Sequence, residues 1–156
     1  MSATNTTVVT TPVITNARTE PDTPRKLFVN IPVSDLQRSI RFFEALGFAF
    51  NPRFTDSAAT CMLVGTDAYF MLLEHGKFAS FSKRPAGDPR KETSVLFTFA
   101  MESRAQVDEI VHKAIAAGGT HAAEPQDHGF MYGWSFYDPD GYHWEVFWMD
   151  PSAIAG

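Results

Sequence analysis

One order of elements is written into this chain twice. The strand-like KLFVNIPV (residues 26–33) leads into SDLQRSIRFFEALG, where Ser34 and Gln37 stand at helix-entry spacing, Leu36, Ile40 and Phe43 share one stripe, and Gly47 marks the exit. The segments FAFNPRF, AATCMLVG and AYFMLLE then read as short strands, with Gly65-Thr66-Asp67 at the last turn. A second strand, SVLFTFAM, restarts the series. It precedes SRAQVDEIVHKAIAAGG, where Ser103 and Gln106 repeat the entry spacing, Val107, Ile110, Val111 and Ala114 point inward, and Gly118 and Gly119 end the helix. After a less regular THAAEPQDHG come the strands FMYGWSFYD and YHWEVFW, joined by Asp138-Pro139-Asp140-Gly141. In that turn Pro139 presets the second position and Gly141 supplies the left-handed residue that returns the chain to the ladder.

Such a repeat predicts an α+β fold of two paired βαβββ modules, each sheet covered by one helix, together forming a cup-shaped sheet. The boundaries read as module one 26–75, a polar linker 76–93 and module two 94–149, within a single domain over 25–150, and the helices near 34–46 and 103–117. Residues 1–24 are Thr- and Pro-rich and hold no aromatic residue, so too little apolar surface is present to offset ordering the backbone, and a disordered tail is expected there. Residues 151–156 read as a C-terminal tail.

Charge narrows the partners. A formal net charge of -5 lacks the concentrated basic surface that phosphate contacts need, so nucleic acid is not expected. No apolar run reaches membrane-spanning length, which leaves a small-molecule ligand or substrate and a second copy of the chain as the expected partners. The single cysteine, Cys61, forms no internal disulfide, and a cytoplasmic location is expected. Lys77, Lys83, Arg84, Arg90 and Lys91 make the linker locally basic, as a solvated segment or as a guide for an anionic ligand.

Alternation orients the strands. On the first, Leu27, Val29, Ile31 and Val33 form an aliphatic face that belongs against the helices, which turns Phe28 and Asn30 toward the cup. On the last, Tyr142, Trp144, Val146 and Trp148 form one face while His143, Glu145 and Phe147 form the other. A lone carboxylate among aromatic side chains, Glu145, is thereby predicted to face the cavity. His143 follows a turn and reads either as a solvated rim residue or as Glu145's neighbour in the cup.

The helix entry PVSDLQRSIRFFEALGF and the late DPDGYHWEVF closely resemble the vicinal oxygen chelate superfamily, which includes glyoxalase I, extradiol dioxygenases, and fosfomycin- and bleomycin-resistance proteins. The resemblance covers Lys26 to Asp150 and implies the same paired βαβββ fold. Metal-dependent members use a His on the first strand, a Glu near the end of the first module, a His on the first strand of the second module and a Glu on the last strand. Here those positions fall at Phe28, near Leu72 with Glu74 two residues on, at Leu96 or Phe97, and at Glu145. Apolar side chains offer a metal no donor, so no cofactor is expected. A divalent metal held by a relocated set drawn from His143, Glu145, Glu74 and His75 is the alternative.

Two functions follow. The first is a metal-free protein that binds a small aromatic or amphipathic molecule, as the resemblance to bleomycin-resistance proteins implies, with Glu145 as a catalytic acid or base if chemistry is done. The alternative is a metal-dependent lyase or dioxygenase of the glyoxalase I or extradiol type. Ligand-binding candidates are Phe28, Asn30, Phe70, Leu72, Glu74, His128, Tyr132, Trp134, His143 and Phe147, with Met131 and Phe136 as further apolar lining. His112 and His121 read as surface residues.

Overall fold

A computed structural model describes residues 10–154. Residues 1–9 of the expected tail, and the last two of the chain, lie outside the described residues. From Thr10 to Lys26 the backbone carries no helix or strand and the residues are exposed.

The repeat becomes two sheets of matching topology. The first module runs β1 (Leu27–Val33), α1 (Leu36–Ala45), β2 (Ala49–Asn51), β3 (Ala59–Leu63) and β4 (Ala68–Glu74), with one 3-10 turn at Pro52–Phe54. The second runs β5 (Leu96–Ala100), α3 (Arg104–Ala116), β6 (Thr120–Asp127), β7 (Met131–Tyr137) and β8 (His143–Met149). Strand orders are β1-β4-β3-β2 and β5-β8-β7-β6, and in each sheet the first strand pairs parallel to the last while the others pair antiparallel. The linker carries a short helix, α2 (His75–Ala79), and the C-terminal segment another, α4 (Pro151–Ile154).

Both helices begin on a side-chain cap, but only one uses the expected residue. Ser103 accepts from the Gln106 N–H at 3.2 Å. On α1 the cap is Asp35, whose carboxylate accepts from the Arg38 N–H at 2.9 Å, so the helix starts one residue later than the Ser34 reading predicts. Ser34 is drawn elsewhere: its N–H and hydroxyl donate to Asp140 Oδ1, in the turn of the other module, at 3.0 and 2.6 Å. A carboxylate reaching across the fold outcompetes a local cap here.

The helix-side faces of both sheets share one core. Trp144, fully buried, has Phe43, Phe70, Phe97 and Phe99 around it at ring-centre distances of 5.1, 5.0, 4.7 and 5.3 Å. Phe42 of α1 reaches Phe136 of β7 at 6.2 Å, so the first helix packs on the second module as well as on its own. Gly119 allows that approach: a Cβ there would lie 3.3 Å from Phe42 and only 2.7 Å from the Tyr137 carbonyl.

The Asp-Pro-Asp-Gly turn does more than reverse the chain. Asp140, 4% exposed, also accepts from the hydroxyl of Ser39 and pairs with Arg38 at 3.3 Å, clamping the start of α1. Asp138 accepts from the Asp140 and Tyr142 N–H groups and from the Trp144 indole N–H at 2.8 Å. Burial pushes the Asp138 carboxyl up to about 6, against the hydrogen bonds that favour its charged form. The Tyr142 hydroxyl donates to the Pro32 carbonyl at 2.9 Å, a further tie between modules.

Candidate functional site

Pairing register separates the faces of the second sheet. Glu145 lies opposite Thr98 on β5 and Ser135 on β7, and Phe147 lies opposite Gly133. These residues share the face away from the core, because Trp144 and Val146, which alternate with them, are fully buried. Over this face opens a pocket of about 380 Å³, within the range of small-ligand sites, bounded by Glu145, Phe147, Met131, Met149 and Thr98, with Glu124 and Gln126 of β6 on one side. Its polar end is Glu145, Thr98 and Ser135. Its other end is apolar, over the bare backbone of Gly133.

Glu145 is partly open to solvent, its side chain 41% exposed, and its contacts are few. Thr98 Oγ1 donates to Oε2 at 3.4 Å, and His143 Nε2 lies 3.9 Å from Oε1. His143 is only 16% exposed, and its Nε2 is buried without a protein hydrogen-bond partner. The ring packs against Tyr137 at 5.1 Å. The rim reading of His143 is therefore corrected: the turn before it folds inward on Asp138, and the side chain is covered beside Glu145.

The other predicted residues separate. Phe28 faces away from the core, as alternation required, half exposed and stacked on Tyr69 at 4.7 Å. Asn30 is exposed on the same face, its amide donating weakly to the Phe28 carbonyl at 3.5 Å. Phe70 and Leu72 do not line the cup. They alternate with Tyr69 and Met71 and are 6% and 0% exposed in the core. Tyr132 and Trp134 likewise fall on the helix side. The Tyr132 hydroxyl donates to Asp108 of α3 at 2.6 Å, which with burial pushes its ionisation up to about 12. Trp134 lies between His112 and His121, its indole N–H on the Ala123 carbonyl, and meets the pocket only at the sheet's floor. Phe136 is fully buried core. His128 is an exposed loop residue whose N–H donates to the Met131 carbonyl.

Glu74 is engaged elsewhere. Its Oε1 accepts from the Leu36 N–H at 2.8 Å, completing the first turn of α1. That carboxylate holds a helix rather than joining Glu145 and His143. Among the described residues, no three His, Cys, Asp or Glu side chains come together as a metal site.

Register also resolves the quartet. Leu96 pairs with His143, two residues before Glu145, just as Phe28 pairs with Tyr69, two residues before Met71. The equivalent cup-facing positions are thus Phe28, Met71, Leu96 and Glu145. Leu96 is 48% exposed on the cup face, whereas Phe97 is 8% exposed in the core, so of the two alternatives it is Leu96 that faces the cup. Two hydrocarbon side chains, one thioether and one carboxylate do not fit a divalent metal that prefers nitrogen and oxygen donors.

Thr98, Ser135, Gly133, Met149, Glu124 and Gln126 were not singled out from the sequence. Alternation would have found the first four. Glu124 and Gln126 are hidden by register shifts in β6 between His121, Ala123 and Gln126, which break the period on that strand. None of the linker's basic residues borders this pocket. Lys91 pairs with Asp88, and the Arg90 guanidinium donates to the Pro139 carbonyl.

Comparison with known structures gives the same topology. Hypothetical protein SA1046 from S. aureus is similar at 26% identity, with 80% of this chain and 94% of that one covered and a TM-score of 0.69. A glyoxalase/bleomycin resistance protein/dioxygenase family enzyme from Burkholderia phytofirmans PsJN is similar at 22% identity, covering 78% and 96%, with a TM-score of 0.65. The fosfomycin resistance protein FosX from Listeria monocytogenes, in its tetragonal form, is similar in fold at 20% identity, covering 80% and 90%, with a TM-score of 0.58. No curated protein matches the sequence. The Glyoxalase/Bleomycin resistance protein/Dioxygenase superfamily signature matches residues 27–146, and with the paired βαβββ sheets in place the chain belongs to that superfamily.

Proposed function

We propose that this protein binds a small aromatic or amphipathic molecule in the cup over Glu145, without the metal quartet that serves the metal-dependent members. The observation that carries this reading is the pocket itself. Its floor is apolar, from Phe147, Met131 and Met149, and its polar end holds a carboxylate whose counterparts in the quartet are Phe28, Met71 and Leu96. A thermal-shift screen of aromatic and amphipathic compounds tests it. Compounds that raise the melting temperature of the parent protein support the reading; a screen in which none does contradicts it.

The working unit is proposed to be a homodimer in which the partner covers this pocket. No residue of module one borders it, and the matching face of module one leaves Phe28, stacked on Tyr69, half exposed within the chain. Each chain contributes one ligand-binding domain over residues 25–150, flanked by tails at 1–24 and 151–156. A cytoplasmic setting suits its buried free thiol, Cys61.

A further inference from the structure

The pocket's charge is one-sided. Of the residues that border it, Glu145 and Glu124 are acidic, and no Lys, Arg or His is among them. Among the described residues neither carboxylate has a Lys or Arg within 4.0 Å, the only near cationic candidate being His143 at 3.9 Å from Glu145. Arg104 of α3 is held on the helix side by Asp127 and Gly129 and lies over the rings of Tyr132 and Trp148. With only the long Thr98 hydrogen bond on it among the described residues, the Glu145 carboxylate projects its field into the opening.

The neighbours of Glu145 add two features. Phe147 is the next residue on the same face of β8, which sets an aromatic ring beside the carboxylate, a pairing that suits organic ammonium groups. Gly133 lies opposite Phe147 and leaves the floor flat. A Cβ there would meet nothing closer than 3.5 Å, so the fold does not need glycine for space, and a side chain would project into the pocket instead.

Resting on the small-molecule reading above, we propose that the ligand is an organic cation, an ammonium-type head set between Glu145 and Phe147 and joined to a flat apolar body that lies over Gly133. Glu124, on the opposite wall, adds long-range attraction for the same charge. Anionic ligands are repelled by both carboxylates.

Three probes with one naphthalene body separate the terms: 1-naphthylmethylammonium, 1-naphthylmethanol and 1-naphthoate, titrated by calorimetry into the full chain at neutral pH. The ammonium probe should bind about tenfold tighter than the alcohol, a difference of about 1.4 kcal/mol, and the carboxylate should not bind. Glu145→Gln should bring the ammonium probe down to the alcohol's affinity and leave the alcohol unchanged. Gly133→Ala, with an unchanged melting temperature, should weaken both. Equal binding of ammonium and alcohol, tighter binding of the carboxylate, or indifference of the ammonium probe to Glu145→Gln overturns the cation assignment while small-molecule binding stands. Failure of all three probes to bind overturns the small-molecule reading and the inference with it.

Discussion

Asp140 Oδ1 accepts from both the backbone N–H and the hydroxyl of Ser34, 106 positions away, at 3.0 and 2.6 Å. Through that carboxylate the last hairpin of the second module holds the first helix of the first. The same hairpin sets the start of β8, and with it His143, Glu145 and Phe147. Assembly of the modules and placement of the site thus share one turn.

Asp140→Ala should cost about 1.5–3 kcal/mol, the loss expected when hydrogen bonds to a buried charged group are removed. Urea denaturation measures it. Asp140→Asn, which keeps the shape and one acceptor, should cost less. An Asp140→Ala protein as stable as the parent would show that the clamp contributes nothing.

Asp138 gives the stability a pH dependence of definite sign. Its carboxyl titrates near 6 when folded, against 3.8 for the ordinary group, so the folded state holds this proton more tightly. The contribution is fully present below about 3.8 and is lost as pH rises through about 6. Asp127 works in a lower window: Arg104 holds it down to about 2, so its contribution is present above 3.8 and is lost as pH falls toward 2. The stability of the parent relative to Asp138→Asn should therefore rise as pH falls from 7 to about 4.5. A relative stability that is flat or falls over that range contradicts the assignment.

Two glycines should respond differently to the same change. Gly119→Ala drives a Cβ to 2.7 Å from the Tyr137 carbonyl and 2.9 Å from that of Ala114, and overpacking of this kind costs about 1–3 kcal/mol. Gly133→Ala meets only ordinary contacts and should leave the melting temperature unchanged. Thermal melts of the two variants side by side decide it.

Light scattering should give a mass twice the 17.4 kDa of the chain, and Phe28→Glu should shift the protein toward the monomer by placing a charge on the uncovered face. A monomer mass for the parent at micromolar concentration would remove the shared cup.

Much of this fold was legible because strand and helix periods differ and the same plan was written twice. The alternation Trp144, Glu145, Val146 sufficed to aim Glu145, and the Leu27–Val33 series aimed Phe28. What stayed hidden depended on partners distant in sequence. Nothing near Ser34 says that its hydroxyl prefers Asp140 to the helix start, and nothing near Glu74 says that it completes the first turn of α1. Phe70, Leu72 and Tyr132 were misplaced because aromatic or apolar character alone does not choose between two faces of a strand. Register does, and it assigns those three to the core or the helices.

The central claim is a ligand site that works through Glu145 without a metal, and elemental analysis of protein purified without chelator tests it most directly. The account predicts no stoichiometric zinc, nickel, iron or manganese, in the parent and in Glu145→Gln alike. One metal ion per chain in the parent, lost in Glu145→Gln, would contradict it and make Glu145 a metal ligand.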